Sequence, residues 1–103
     1  MITVVYNGEE LRLFKSTYKN NNALYVGLKD ADGEFYCDVT VNLPNSGTLP
    51  SNCAFIDTNN LSWNIVETLL NEGIISPINQ SACNGFCRYY AYMFNTEDME
   101  DYL

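Results

Sequence analysis

The sequence predicts an α+β fold: an antiparallel β-sheet of four to five strands with one main amphipathic helix packed on a face, in two layers. Three observations lead there. Asn7-Gly8 separates two alternating segments, Phe35 to Leu43 alternates apolar and polar residues without interruption, and a single apolar stripe at helical spacing ends at Gly73. The helix comes too late in the chain for repeated βαβ units. At 103 residues the chain reads as one domain over 1–103, long enough to bury roughly 65% of its unfolded surface.

Residues 2–14 predict a β-hairpin, because Asn-Gly is the preferred pair for a two-residue type I′ turn. That turn pairs Tyr6 with Glu9, Val4 with Leu11 and Ile2 with Leu13, which makes one face apolar on both strands and so sets the register. Lys19-Asn20-Asn21-Asn22 breaks the pattern. A second hairpin is predicted over 23–43, with Asp30-Ala31-Asp32-Gly33 as its turn. Its second strand, with Phe35, Cys37, Val39, Val41 and Leu43 on one side, is placed in the middle of the sheet. Pro44 to Asn52 is a surface loop by composition, and Cys53 to Ile56 a short buried strand.

The helix is predicted over 61–72. Asp57, Asn59 and Asn60 supply N-caps, Trp63, Ile65, Val66, Leu69 and Leu70 form the stripe, and Gly73 sits where a helix stops. Ile74 to Pro77 leads into a polar loop. Residues 87–94 predict a C-terminal aromatic strand, and 95–103 an acidic tail.

Five Lys plus Arg against thirteen Asp plus Glu give a net charge of -8, which opposes direct binding to nucleic acid or to an anionic membrane. A basic protein surface is the better electrostatic match. The apolar run before Asn7 lacks the basic flank and length of a signal peptide, and no stretch approaches the roughly 20 apolar residues of a spanning helix. A cytosolic setting is expected.

The chain has no histidine, which removes the commonest general base and the usual partner of a nucleophilic serine or cysteine. No glycine-rich loop is present to cradle phosphate. The sequence therefore reads as a binding protein, with no enzymatic activity and no cofactor required for chemistry. Four cysteines, Cys37, Cys53, Cys83 and Cys87, admit three states: buried free thiols in the manner of small hydrophobes, a structural zinc site, or a disulfide, which a reducing cytosol disfavours.

The stretches Phe35-Tyr36-Cys37-Asp38-Val39-Thr40-Val41-Asn42-Leu43, Asn52-Cys53-Ala54-Phe55-Ile56-Asp57-Thr58-Asn59-Asn60, Leu70-Asn71-Glu72-Gly73-Ile74 and Gly85-Phe86-Cys87-Arg88-Tyr89-Tyr90 carry a resemblance that spans roughly residues 18 to 94. Together they resemble a family of small proteins, a domain of unknown function, encoded by phages, plasmids and conjugative elements. The resemblance implies a mobile-element setting in the host bacterial cytoplasm. It also implies an anti-CRISPR-type inhibitor of a host defence nuclease, most simply a Cas effector, acting by stoichiometric binding that blocks DNA loading or a domain movement. The alternative is another phage or plasmid interaction or regulatory accessory module.

For such binding the densest acidity is Asp30, Asp32 and Glu34 in the turn and Glu97, Asp98, Glu100 and Asp101 in the tail, with Tyr90 and Tyr92 as aromatic anchors. The partner expected is the basic surface of a nucleic-acid-handling protein, engaged by a monomer or weak homodimer.

Overall fold

A computed structural model describes residues 2–102; Met1 and Leu103, the ends of the predicted domain and of its tail, lie outside the described residues. In chain order the elements are β1 (Ile2–Tyr6), β2 (Glu9–Thr17), β3 (Leu24–Lys29), β4 (Phe35–Asp38), β5 (Thr40–Val41), a 3-10 turn (Pro44–Ser46), β6 (Cys53–Ile56), α1 (Trp63–Asn71), β7 (Ile75–Asn84), β8 (Cys87–Phe94) and β9 (Glu100–Asp101). The fold is α+β, with mostly antiparallel strands and one α-helix. It differs from the predicted layout in having two sheets, β1-β2-β3-β4 with β9 beside β2, and β5-β6-β8-β7.

The first hairpin has the register the turn dictates, with Ile2 opposite Leu13, Val4 opposite Leu11 and Tyr6 opposite Glu9. Asn7 and Gly8 both take positive φ, at 55° and 77°, as a type I′ turn requires. Beyond Leu13, β2 runs on to Thr17 and pairs with β3 through Leu24.

The stretch from Phe35 to Leu43 does not lie in the middle of a sheet. It is two edge strands in one bent ribbon, β4 on the first sheet and β5 on the second. The bend follows from Val39, whose N–H donates to Val26 in the first sheet while its carbonyl accepts from Asp57 beside the second, both at 2.9 Å. Consecutive Val39 and Thr40 are therefore both buried, which breaks the simple alternation. The Thr40 hydroxyl is satisfied by bonds with Tyr18 Oη at 2.9 Å and the Val26 amide at 3.1 Å. The middle of the second sheet belongs to β6, buried at all four residues, and β8.

Helix α1 is capped by Ser62, whose Oγ accepts from the Asn64 amide at 3.0 Å. The predicted caps Asp57, Asn59 and Asn60 belong instead to a preceding turn, in which the Asn60 and Leu61 amides donate to the Asp57 carbonyl. Asn60 Nδ2 donates to Asp57 Oδ2 at 2.8 Å, so its role is local to that turn. The stripe narrows to Ile65, Val66 and Leu69; Trp63 and Leu70 flank it and are exposed, at 51% and 36%. Gly73, at φ 73°, ends the helix in a Schellman motif, with its amide bonded to the Leu70 carbonyl and the Ile74 amide to the Leu69 carbonyl. The helix packs against β1 and β7, the edge strands of the two sheets, and so closes the side of the molecule opposite the bent ribbon.

The predicted polar loop after Pro77 is strand β7. An edge strand needs partners on one side only, so it tolerates Pro77 and a bulge between Pro77 and Ser81, where Asn79 takes φ 58°. The β7–β8 turn is Gly85-Phe86, with positive φ at Gly85 as a type II′ hairpin requires.

Val4, Leu11, Leu13, Val26 and Leu28 from the first sheet and Val39 from the bend meet Ile56, Phe94 and the helix residues in one core. Leu43, Phe55, Tyr89 and Ala91 form a second, smaller cluster on the outer side of the second sheet.

Candidate interaction surface

The predicted tail is not a free acidic strand. Met99 inserts into the main core and is 5% exposed, and β9 then pairs in parallel with Phe14 and Lys15 of β2. Glu100 Oε1 lies 3.1 Å from Lys29 Nζ and 3.6 Å from Arg12, and Asp101 pairs with Lys15. Glu100 and Asp101 are thus paired within the chain, Glu100 partly buried and Asp101 exposed. Three of the five cations, Arg12, Lys15 and Lys29, are engaged in this way. Glu97 and Asp98 are exposed in the connection that leads to β9.

Tyr92 is 7% exposed and packs in the main core, because even-numbered residues at this end of β8 face the first sheet. It is not an exposed anchor. Burial raises the titration of its phenol above the ordinary range. Tyr90, at 47% exposure, remains on the surface.

The structure does gather acid and aromatics elsewhere. The Asp30–Gly33 turn is held by Asp30 Oδ1, which accepts from the Asp32 and Glu34 amides, both at 2.9 Å. Asp30 is therefore committed to shaping the turn, while Asp32 and Glu34 are exposed. Immediately after it, Phe35 is 62% exposed and lines a groove of about 440 Å³ with Tyr6, Tyr36, Asp38, Asp57 and Leu61. Tyr6 and Tyr36 meet edge to face, with centroids 6.3 Å apart, and Tyr6 Oη accepts from the Ser62 amide at 3.2 Å.

Asp38 is oriented by Tyr25, whose hydroxyl donates to Asp38 Oδ1 at 2.6 Å. Burial, then that bond and charge, hold the Tyr25 phenol well above its ordinary titration range. Asp57 keeps Oδ2 on Asn60, while its Oδ1 is buried with no hydrogen-bond partner among the described residues. The groove thus places two carboxylates, Asp38 and Asp57, beside the rings of Tyr6, Phe35 and Tyr36.

Sequence reasoning singled out the turn carboxylates as contact groups but not Tyr6, Phe35, Asp38 or Asp57, which come from three separate segments. The one local signal was a phenylalanine directly following the acidic turn.

The cysteines lie on different elements as free thiols, Cys37 on β4, Cys53 on β6, Cys83 on β7 and Cys87 on β8. In the β7–β8 ladder Cys87 is opposite Asn84 and Cys83 opposite Arg88, so the two side chains of the Cys-x-x-x-Cys stretch point to opposite faces. Among the described residues no group of three or more Cys, Asp or Glu converges as metal ligands. Burial raises the thiols of Cys37 and Cys53, the former helped by the Asp38 charge. No helix among the described residues is long and apolar enough to cross a membrane.

No curated protein and no solved structure matches this chain. A family model does, the Domain of unknown function (DUF4313), and it covers residues 12–103, from the second strand through the docked C-terminal strand. The chain belongs to the DUF4313 family.

Proposed function

We propose that the protein is a non-catalytic binding module that captures a basic segment of another protein in the groove between Phe35, Tyr6, Tyr36, Asp38 and Asp57. The observation that carries this reading is the placing of Asp38 and Asp57 beside the exposed Phe35 ring in one groove, while Arg12, Lys15 and Lys29 are engaged by the chain's own tail. Asp32 and Glu34 add long-range attraction and raise the rate of encounter.

The finer reading rests on the resemblance of the Phe35–Leu43 and Asn52–Asn60 stretches. In it the partner is a defence nuclease of the host, a Cas effector in the simplest case, met in the bacterial cytoplasm. Its basic nucleic-acid channel is the surface an acidic, aromatic-edged groove would occupy, so binding would block DNA loading or a domain movement.

Capture from host lysate followed by nuclease assays with the purified protein titrated in tests both levels. The expected result is stoichiometric loss of cleavage, weakened at least 10-fold by Phe35→Ala or by Asp38→Asn with Asp57→Asn in a protein of unchanged secondary structure. Retention of no basic protein would sink the coarse reading, and capture of a basic partner without loss of cleavage would sink the finer one.

A further inference from the structure

We propose that the gap between β3 and β5 binds an extended, uncharged stretch of a partner polypeptide as an added β-strand. The gap arises where the bent ribbon leaves the first sheet. The β3–β4 ladder covers only Gly27 to Lys29, and next to it Val26 bonds Val39 and Thr40 Oγ1. Past these links lies a cleft of about 290 Å³, beside the start of β3 and the end of β5.

The cleft is lined by Leu24 where β3 begins and Val41 where β5 ends, and the flanking loops and β6 complete it. On β3, the bond from the Tyr18 amide to the Ala23 carbonyl makes 18 and 23 a hydrogen-bonded pair of the β2–β3 ladder. Pairs alternate in an antiparallel ladder, so Leu24, one residue on, turns its N–H and C=O away from β2. On β5, the bond from the Asp57 amide to the Val39 carbonyl sets the same alternation against β6. Thr40 and Asn42 therefore turn their backbone groups away from β6, toward β3. A chain laid between Leu24 and Asn42 would meet a donor and an acceptor on each side.

The lining specifies what that chain carries. In a protein with eighteen charged side chains, none of the residues that line this cleft is Asp, Glu, Lys or Arg. Leu24, Leu43, Leu49 and Phe55 make an apolar floor. At the mouth, the Asn42 side-chain amide bridges to Asn20 and Asn21 through bonds of 3.0 Å. Primary amides supply a donor and an acceptor together, the complement of a peptide unit, and the network lies on the surface where exchange with a ligand is easy. Strand addition draws affinity from main-chain bonds and selectivity from pockets for alternate side chains, and this cleft offers both. A charged side chain would lose its hydration here without gaining a counter-charge.

The test uses capped, uncharged pentapeptides of Leu, Val, Thr and Gln as probes on the full-length protein, with matched peptides carrying one central Lys or Asp. The expected result is saturable binding of an uncharged member, slowed amide exchange at Leu24 and Asn42 by at least 10-fold, and at least 10-fold weaker binding of the charged matches. Thr48→Arg, an exposed substitution on the lining, should weaken binding at least 10-fold while leaving the fold intact, and Phe35→Ala in the separate groove should leave it unchanged. Failure of every uncharged probe to bind at millimolar concentration, binding without protection of Leu24 and Asn42, or equal binding of charged probes would each overturn the proposal.

Discussion

Lys29 Nζ on β3 lies 3.1 Å from Glu100 Oε1 on β9, an ion pair that reaches across β2 and fastens the end of the chain to the first sheet. Arg12 joins it from β2, and the Tyr102 amide donates to the Lys15 carbonyl at 2.9 Å. Partly exposed pairs of this kind contribute about 1 kcal/mol or less and are screened by salt. Glu100→Gln is therefore expected to lower the melting temperature by a few degrees and to speed exchange of the Tyr102 amide. Both effects should shrink when wild type and variant are compared in 1 M salt. Equal melting temperatures at low salt would show that Met99 burial alone holds the tail.

Gly27 is the point where two rings cross the outer face of the first sheet. A Cβ built there would lie 2.5 Å from Tyr25 Oη and 2.8 Å from Phe14 Cζ. Gly27→Ala is expected to destabilise by about 1–3 kcal/mol through overpacking, read by urea denaturation. Adding Phe14→Leu should recover part of the loss. A neutral Gly27→Ala would mean that the rings move aside freely.

The helix cap yields a paired comparison. Ser62→Ala removes the acceptor for the Asn64 amide and is expected to cost about 1 kcal/mol. Asn60→Ala acts on the preceding turn and frees Asp57 Oδ2. It should leave helix stability nearly unchanged while altering capture of basic partners, and a larger helix loss from Asn60→Ala than from Ser62→Ala would contradict the capping geometry.

Tyr25 makes stability dependent on alkaline pH. Its phenol is raised in the folded protein by burial and by Asp38, against an ordinary value of about 10 in the unfolded chain. Below that value both states hold the proton and the contribution is complete. Above it the unfolded chain ionises first, so stability falls as pH rises past about 10. Tyr18, Tyr89 and Tyr92 are raised by burial as well and act in the same direction. Tyr25→Phe should be less stable than wild type at pH 7, by roughly 1 kcal/mol for the lost bond to Asp38, and the gap should narrow between pH 10 and 11. Urea midpoints across that range check it.

What was legible in the sequence was local. Asn7-Gly8 determined a turn and, through it, the register of five residue pairs, and Gly73 marked the helix end because only a residue at ease with positive φ suits that position. What escaped was decided by distant partners. Strand β7 has no apolar alternation because it is an edge, and the period-two run of Phe35 to Leu43 could not disclose that its halves join different sheets. The tail read as solvated acid, although Met99 among the carboxylates was the one sign that it returns to the core. The groove was hidden for the same reason, since Tyr6, Phe35 and Asp57 meet only after both sheets and the Asp57–Leu61 turn are in place.

The ribbon from Phe35 to Asn42 lines the aromatic groove with its first half and the uncharged cleft with its second. Adding or deleting one residue on either side of Val39 would turn one of these surfaces inside out and spare the other, because side chains alternate face with every residue. The spacing between Asp38 and Asn42 is thus a ruler that sets which face each half of the ribbon presents.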